Sequence, residues 1–345
     1  MRSSSEPGST AAAQGAGPTG AAPASAPVHR DLNQAGFFIV LNGASGHHEG
    51  ETPQQAIEGV LREAGRDHRF YVVDDAKRLA AAAREAVAAA SACDGIVVAA
   101  GGDGTINTVV QACLGSGCRF GVVPQGTFNY FGRAHGVPAD AAEAARALLG
   151  ARVEPVQVGL VNDRVFIVNA SVGLYPQLLE DREAYKARFG RSRGVAMWAG
   201  LATLLRGHRQ LQLRIGDAPY SRTVRTPTLF VGNNRLQLDS IGIGEATAVE
   251  AGKLVAIVLR PVGTLSLLWV TLRGALGQLG EADDVDSFSF ERMSIKPRRR
   301  RIKVATDGEV AWMQTPLEFR VAPQPLELLV PGTEPSGEAP ADPAP

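Results

Sequence analysis

Apolar positions fall into two textures along this chain. In the first half, short apolar runs at 37–41, 69–73, 96–100 and 120–124 alternate with longer stretches whose apolar residues recur at helical spacing, around 53–64, 76–92 and after 105. Continuous apolar runs of five residues predict strands buried on both faces, and strand–helix alternation predicts a parallel sheet with right-handed crossovers. Beyond about 155 the runs are short and separated by turn residues, at 155–160, 164–170, 210–215, 226–231, 253–258, 288–295 and 301–304. These predict a mainly antiparallel second domain, interrupted by helical stretches near 175–205 and 262–279. No internal repeat at a fixed period is present.

The expected boundaries are a tail over 1–34, an α/β domain over 35–154, a β domain over 155–322, a final segment over 323–331 and a second tail over 332–345. Both tails are rich in Ala, Gly, Pro and Ser or Glu and poor in large apolar side chains, the composition of disordered chain. At 345 residues there is length for two cores. The start lacks the apolar core of a signal peptide, and no apolar run approaches the roughly 20 residues of a spanning helix, so a cytoplasmic location is expected.

Lys plus Arg and Asp plus Glu are 35 each. Net charge therefore gives no argument for nucleic acid, and any basic site must be local. Two such clusters exist: Lys296, Arg298, Arg299, Arg300, Arg301 and Lys303, and Arg182, Lys186, Arg188, Arg191 and Arg193. Each fits either attraction to an anionic phospholipid surface or a solvated face. Leu265, Leu268, Trp269, Leu272 and Leu276 recur at helical spacing and read as core before membrane anchor. Cys93, Cys113 and Cys118 read as small core hydrophobes in a reduced compartment, the first two on apolar segments.

Three glycine-containing loops follow predicted strands. The most informative is Ala100-Gly101-Gly102-Asp103-Gly104-Thr105-Ile106-Asn107, between a strand and a helix. Glycines admit backbone N–H groups close to a phosphate, and a helix N-terminus adds partial positive charge. Asp103 among them would repel a bare phosphate; it fits if it meets phosphate through Mg²⁺ or water, or if it fixes the loop by accepting backbone hydrogen bonds. The plainer alternative is a turn in which Asp103 or Thr105 caps the helix. Asn42-Gly43-Ala44-Ser45-Gly46 lacks the lysine of a P-loop, and the adjacent His47 and His48 are poorly spaced for a metal. Pro124-Gln125-Gly126-Thr127-Phe128-Asn129 is the third loop. All three should converge at the carboxyl edge of the sheet, where open α/β sheets bind ligands.

Together with Asn169-Ala-Ser-Val-Gly173, Val231-Gly-Asn-Asn234 and Thr306-Asp307-Gly308-Glu309, the order and spacing of these loops over about residues 36–331 resemble the diacylglycerol kinase catalytic-domain family, which is related to sphingosine kinases and more distantly to NAD kinases. The resemblance implies a Rossmann-like ATP-binding domain, then a β-sandwich carrying the lipid side, with residues 326–330 returning to the first domain. It implies nucleotide contacts from Asn42, Ser45, Gly101, Gly102, Asp103, Gly104, Thr105, Ile106, Asn107, Gly126, Thr127 and Asn129. Asp103 would organise the Mg²⁺-phosphate region and Glu309 would accept the proton of a lipid hydroxyl. ATP with Mg²⁺ is the implied cofactor and diacylglycerol the leading acceptor. A sphingoid base, another lipid alcohol or NAD would use the same fold, and a nucleotide-binding regulator without turnover is the rival from another class. The partners expected are a lipid and the inner face of an anionic membrane, touched peripherally; no nucleic acid is expected and a homodimer is left open.

Two positions depart from the family pattern. Tyr130 stands where many relatives have Asp after the third loop, weakening one link of the Mg²⁺ network. Glu250-Ala251-Gly252-Lys253 stands where many have an Asp-Gly that ligates a structural Mg²⁺. Ala251 has no donor, so this second cation is expected to be absent unless Glu250 replaces the missing ligand.

Overall fold

A computed structural model describes residues 31–43, 52–189, 210–216, 222–263, 266–267, 269–270, 273 and 276–332, without side chains at 182–189, 222 and 281. The first sheet begins with β1 (Phe37–Asn42), followed by α1 (Pro53–Glu63), β2 (His68–Val73), α2 (Ala76–Cys93), β3 (Ile96–Gly101), α3 (Asp103–Cys113) and β4 (Arg119–Pro124). Local chemistry sets the helix starts. Thr52 and Gln55 form a reciprocal cap on α1 with Pro53 in its first turn, and Asp75 caps α2 through the Lys77 N–H. Strands β3 and β4 are buried along their whole length, as their unbroken apolar runs require.

After β4 come α4 (Tyr130–Ala134), α5 (Ala141–Leu149) and β5 (Arg152–Val156). The sheet order is β2-β1-β3-β4, then strand Leu326–Val330, then β5. The returning strand runs parallel to β4 and antiparallel to β5, so the sheet is parallel except at this edge. The 155–160 run is thus two elements: β5 closes the first sheet, and the antiparallel part opens at Gly159. Residues 32–34, expected in the tail, form a 3-10 turn whose Leu32 carbonyl accepts from Arg66 Nη2 at 2.5 Å.

The second part comprises β6 (Gly159–Val161), β7 (Arg164–Phe166), β8 (Asn169–Gly173), α6 (Leu174–Phe189), β9 (Leu211–Ile215), β10 (Arg222–Thr226), β11 (Thr228–Gly232), α7 (Arg235–Ser240), β12 (Leu254–Leu259), β13 (Val285–Phe290), β14 (Arg292–Pro297), β15 (Arg301–Thr306), β16 (Glu309–Gln314), β17 (Leu317–Val321) and finally β18, the returning strand. Two antiparallel six-stranded sheets, β10-β9-β14-β17-β6-β7 and β13-β12-β11-β8-β15-β16, enclose a core that includes Phe166, Leu213, Val231, Ile295 and Phe319. The α/β domain followed by a β-sandwich agrees with the sequence reading. The 288–295 run is two strands turning at Glu291, and β10, β16 and β17 are additional. Cys113 and Cys118 are buried while Cys93 is exposed, which corrects its expected place in the core. Burial pushes the Cys113 thiol up to about 12, so it is an inert packing group.

Among the described residues, no helix is long and apolar enough to cross a membrane. In the 262–279 stretch, Leu267 and Val270 are buried and Trp269 and Leu276 are exposed; Leu265, Leu268 and Leu272 lie outside the described residues, as do 1–30 and 333–345.

Candidate functional site

The ends of β1, β3 and β4 bring Asn42 and the third glycine loop together with the start of α3. Gly102 is the residue before α3, and no side chain caps the helix, so neither Asp103 nor Thr105 acts as its cap. The first-turn N–H groups of α3 therefore keep their donor capacity, as an anion site at a helix start requires. The loops touch through glycine: a Cβ on Gly126 would fall 2.9 Å from Gly102 Cα, and one on Gly101 would fall 2.6 Å from Thr105 Cβ. Asn42 Nδ2 donates to Thr105 Oγ1 at 3.2 Å, tying the end of β1 to this loop.

Asp103 occupies the first turn of α3, and its carboxylate accepts the Tyr130 and Phe131 N–H groups, both at 3.3 Å. Of the two ways its charge could be tolerated, loop fixation is the one visible in the geometry. Burial raises its pKa, opposed by hydrogen bonds from Phe131, Tyr130 and Asn129 backbone. Asn129 has a left-handed φ of 49°, and its side chain closes the third loop on itself: Oδ1 accepts from Gly126 N at 2.8 Å and Nδ2 donates to Gly126 O at 2.9 Å. Both ends of its amide are thus committed to shaping the loop.

Other expected contacts point elsewhere as well. Ile106 is fully buried in the sheet core, and its N–H is used by Gly102 O. Asn107 faces the β-sandwich, donating to Val165 O at 3.0 Å and Asp307 Oδ2 at 2.6 Å. Gly101, Gly102, Asp103, Gly104, Thr105, Gly126 and the exposed Thr127 remain at the loops. Ser45, with Gly46, His47 and His48, lies outside the described residues.

Glu309 reaches this loop from the other domain. A Cβ built on Gly104 would lie 3.5 Å from Glu309 Oε1, which puts a carboxylate oxygen directly over the start of α3. Arg164 Nη2 holds the other oxygen, Oε2, at 3.3 Å. Glu309 is carried on the turn begun by Asp307, which is half-buried and accepts from the N–H groups of Ile167 (2.8 Å), Val168 (2.9 Å) and Asn169 (2.8 Å) besides Asn107. Burial pushes the Asp307 carboxyl up to about 6, against the pull of those donors. Asp-Gly reads as a common turn dipeptide, so nothing in the sequence distinguishes this hydrogen-bonded hub from an ordinary surface turn; the same holds for Arg164.

An apolar cavity of about 330 Å³ opens beside the third loop, lined by Tyr130, Leu174, Tyr175, Phe230, Leu259 and Leu267 among others. Among the described residues its polar side chains besides the tyrosines are Thr228 and Gln237. Tyr130, the departure from the family pattern, thus supplies a ring to the cavity wall while its N–H binds Asp103. At the second departure, Glu250 is ion-paired with Arg235, which also contacts Asp239 at 3.3 Å. Among the described residues no group of three or more metal-binding side chains occurs, and Ala251 beside an arginine-paired Glu250 does not fit the structural cation that the resemblance implies. Of the basic clusters, Arg182, Lys186 and Arg188 have no described side chains, and Arg191 and Arg193 lie outside the described residues.

Residues 36–161 match the family described as Diacylglycerol kinase catalytic domain. A Pseudomonas aeruginosa protein named "Probable lipid kinase YegS-like" is 38% identical over 141 residues, 39% of this chain and 43% of that protein. A Bacillus subtilis protein named diacylglycerol kinase is 42% identical over 89 residues, 25% of this chain and 29% of that one. The matched segments thus span less than half the length of these two relatives. A crystal structure of a diacylglycerol kinase from Bacillus anthracis shares the fold, with a TM-score of 0.62 at 18% identity, covering 86% of this chain and 96% of that one.

Proposed function

We propose that this chain, which belongs through residues 36–161 to the diacylglycerol kinase catalytic-domain family, is an ATP-dependent lipid kinase that phosphorylates a lipid hydroxyl, with diacylglycerol as the leading acceptor. The observation that carries this reading is the approach of Glu309 Oε1 to Gly104: a free carboxylate oxygen from one domain faces the uncapped N-terminus of α3 in the other. The neighbouring apolar cavity supports a lipid acceptor over NAD, because NAD would leave its ribose hydroxyls and phosphates without polar partners there.

In this mechanism the phosphates of ATP lie against the N–H groups around Gly102 and Gly104, with Gly126 packed on Gly102 to shape the cradle, and Thr127 adds an exposed hydroxyl. Mg²⁺ carried with ATP would supply charge neutralisation, with Asp103 as the nearest loop carboxylate. Asp103 keeps the start of α4 in register with the loop. Glu309 orients the acceptor hydroxyl and takes its proton as the hydroxyl oxygen bonds to the γ-phosphorus. The bond from that phosphorus to the bridging oxygen breaks, and ADP leaves. Phosphoryl transfer of this kind depends mainly on position and charge, which is what two loops and one opposed carboxylate provide.

The test is transfer of labelled γ-phosphate from ATP·Mg²⁺ to diacylglycerol in mixed micelles, with sphingosine and NAD as competing acceptors. Wild type should label phosphatidic acid, and Glu309→Gln should lose on the order of 10²–10⁴-fold in rate while retaining ATP binding. Full turnover by Glu309→Gln would rule out the base assignment. ATP binding with no lipid-dependent ADP release would favour the regulatory reading.

A further inference from the structure

Five basic side chains of the β-sandwich meet at one groove. Arg298, Arg299 and Arg301 at the β14–β15 turn, Lys303 on β15 and Arg225 on β10 line a single open groove of about 710 Å³. Among the described residues no acidic side chain lines it. Lys303 pairs with Glu180 at 2.5 Å; the other four cations have no carboxylate partner among the described residues. Trp312 forms part of the wall, with Lys303 Nζ 5.3 Å and Arg301 Cζ 6.0 Å from its ring centroid. In a chain with equal numbers of acidic and basic residues, five clustered cations are a local feature whose mutual repulsion an external anion would relieve.

The surroundings narrow the class of anion. Trp312 is 54% exposed, and Pro261 on the groove leads into the segment that bears Trp269, 59% exposed, and Leu276, 64% exposed. An exposed indole beside an arginine suits the headgroup layer of a bilayer, whereas a free phosphate would leave this apolar surface in water. Leu174 lines both the basic groove and the apolar cavity, so an anionic surface resting on the groove lies next to the cavity that fits lipid.

From this we infer a docking site, separate from the cleft between Asp103 and Glu309, that receives the phosphate headgroup of an anionic glycerophospholipid in a membrane surface. The inference stands on the groove; only the benefit of delivering a lipid acceptor rests on the kinase reading.

The test uses the full chain without ATP, by co-sedimentation with vesicles of phosphatidylcholine alone or with one-third phosphatidylglycerol. Arg225→Ala/Arg298→Ala/Arg299→Ala should bind the anionic vesicles roughly 100-fold more weakly than wild type. Lys77→Ala/Arg78→Ala/Arg84→Ala removes the same charge from the exposed side of α2 and should bind as wild type does. Equal losses in the two variants, or none in either, would overturn the proposal. Thermal melting of each variant checks folding, and Trp312 supplies a second measurement that needs no basic substitution. Brominated anionic lipid should quench wild-type emission more than that of Trp312→Phe, and equal quenching would overturn the site. Inorganic phosphate is the soluble probe: if it releases the chain from vesicles at constant ionic strength, the groove is a free-phosphate site and the membrane assignment falls. None of these readings requires phosphoryl transfer, so failure here and failure of the kinase reading are distinguishable.

Discussion

Asn107 Nδ2 donates to Asp307 Oδ2 at 2.6 Å, joining residues 200 positions apart in the chain. One belongs to the helix that begins at the glycine loop, the other to the turn that delivers Glu309. The same carboxylate gathers three successive backbone N–H groups from Ile167 to Asn169, so it fixes the β7–β8 connection as well. Asp307 at φ 47° and Gly308 at φ 90° then turn the chain so that Glu309 emerges opposite Gly104. The position of the candidate base is set by the carboxylate two residues before it.

Replacing Asp307 by Ala would leave three backbone N–H groups without their acceptor and the Asn107 amide with Val165 O alone. The expected cost is about 3–5 kcal/mol in urea unfolding, and Asn107→Ala, which removes one donor of four, should cost about 1–2 kcal/mol. An unfolding midpoint for Asp307→Ala equal to that of wild type would contradict the hub assignment.

Arg164 is held in place from the first domain: Gln111 accepts from Val165 N at 2.8 Å and donates to Asp163 O at 3.2 Å. Arg164 in turn steadies Glu309. Arg164→Ala should lower kcat by about 10- to 100-fold through misplacement of Glu309, with the KM for ATP nearly unchanged and Arg164→Lys partly restoring the rate. Because the pair is largely exposed, stability should change by less than about 1 kcal/mol. A raised KM with kcat unaltered would instead mark Arg164 as a nucleotide contact.

Gly126 is the point where the third loop meets the second. A methyl group there would sit 2.7 Å from Asn129 Oδ1 and 2.9 Å from Gly102 Cα, neither of which can retreat without opening a loop. Gly126→Ala should weaken ATP binding at least about tenfold in calorimetry while the β-sandwich stays intact, since the substitution is local to two loops. Unchanged affinity would mean that the loop contact does not shape the nucleotide site.

What could be read from the sequence follows from what apolar patterning encodes. Strands β1, β3 and β4 are unbroken apolar runs, so their loops and the position of Asp103 at a strand's end were legible. Side-chain direction was not: Asn107 and Asn129 lie beside phosphate-type glycines, and only packing reveals that one faces Asp307 and the other Gly126. Strand β16 escaped because its residues are exposed or half-buried throughout, leaving no buried face to generate alternation. The two strands within 288–295 merged because a single bend at Glu291 separates them.

His135 ends α4 with its ring 4.9 Å from that of Phe131, and burial lowers its pKa from 6.5 to about 4, against a weaker opposing pull from Glu154. In the unfolded chain the imidazole takes a proton near pH 6.5, and in the folded one only near 4. Its contribution is therefore complete above pH 6.5 and is lost as the pH falls towards 4. That contribution is about 3 kcal/mol. Unfolding measured from pH 7 to pH 4 should lose stability over this window, and His135→Leu should flatten that part of the profile; a parallel profile would assign the loss to other groups.

Glu250 has the charge to bind a cation but not the freedom. Arg235 engages its carboxylate and also contacts Asp239, so the acidic groups next to Ala251 are already neutralised by a guanidinium that a dication would have to displace. Without a nucleotide, a chelator should leave the melting temperature within about 1 °C and added Mg²⁺ should not raise it, since only a ligand bound to the native state shifts that equilibrium. Arg235→Ala frees Glu250 and Asp239 together. If arginine occupies the place of the cation, Mg²⁺ should stabilise this variant more than wild type; a wild-type melting temperature that falls several degrees on chelation would mean that the β-sandwich holds a metal through other groups.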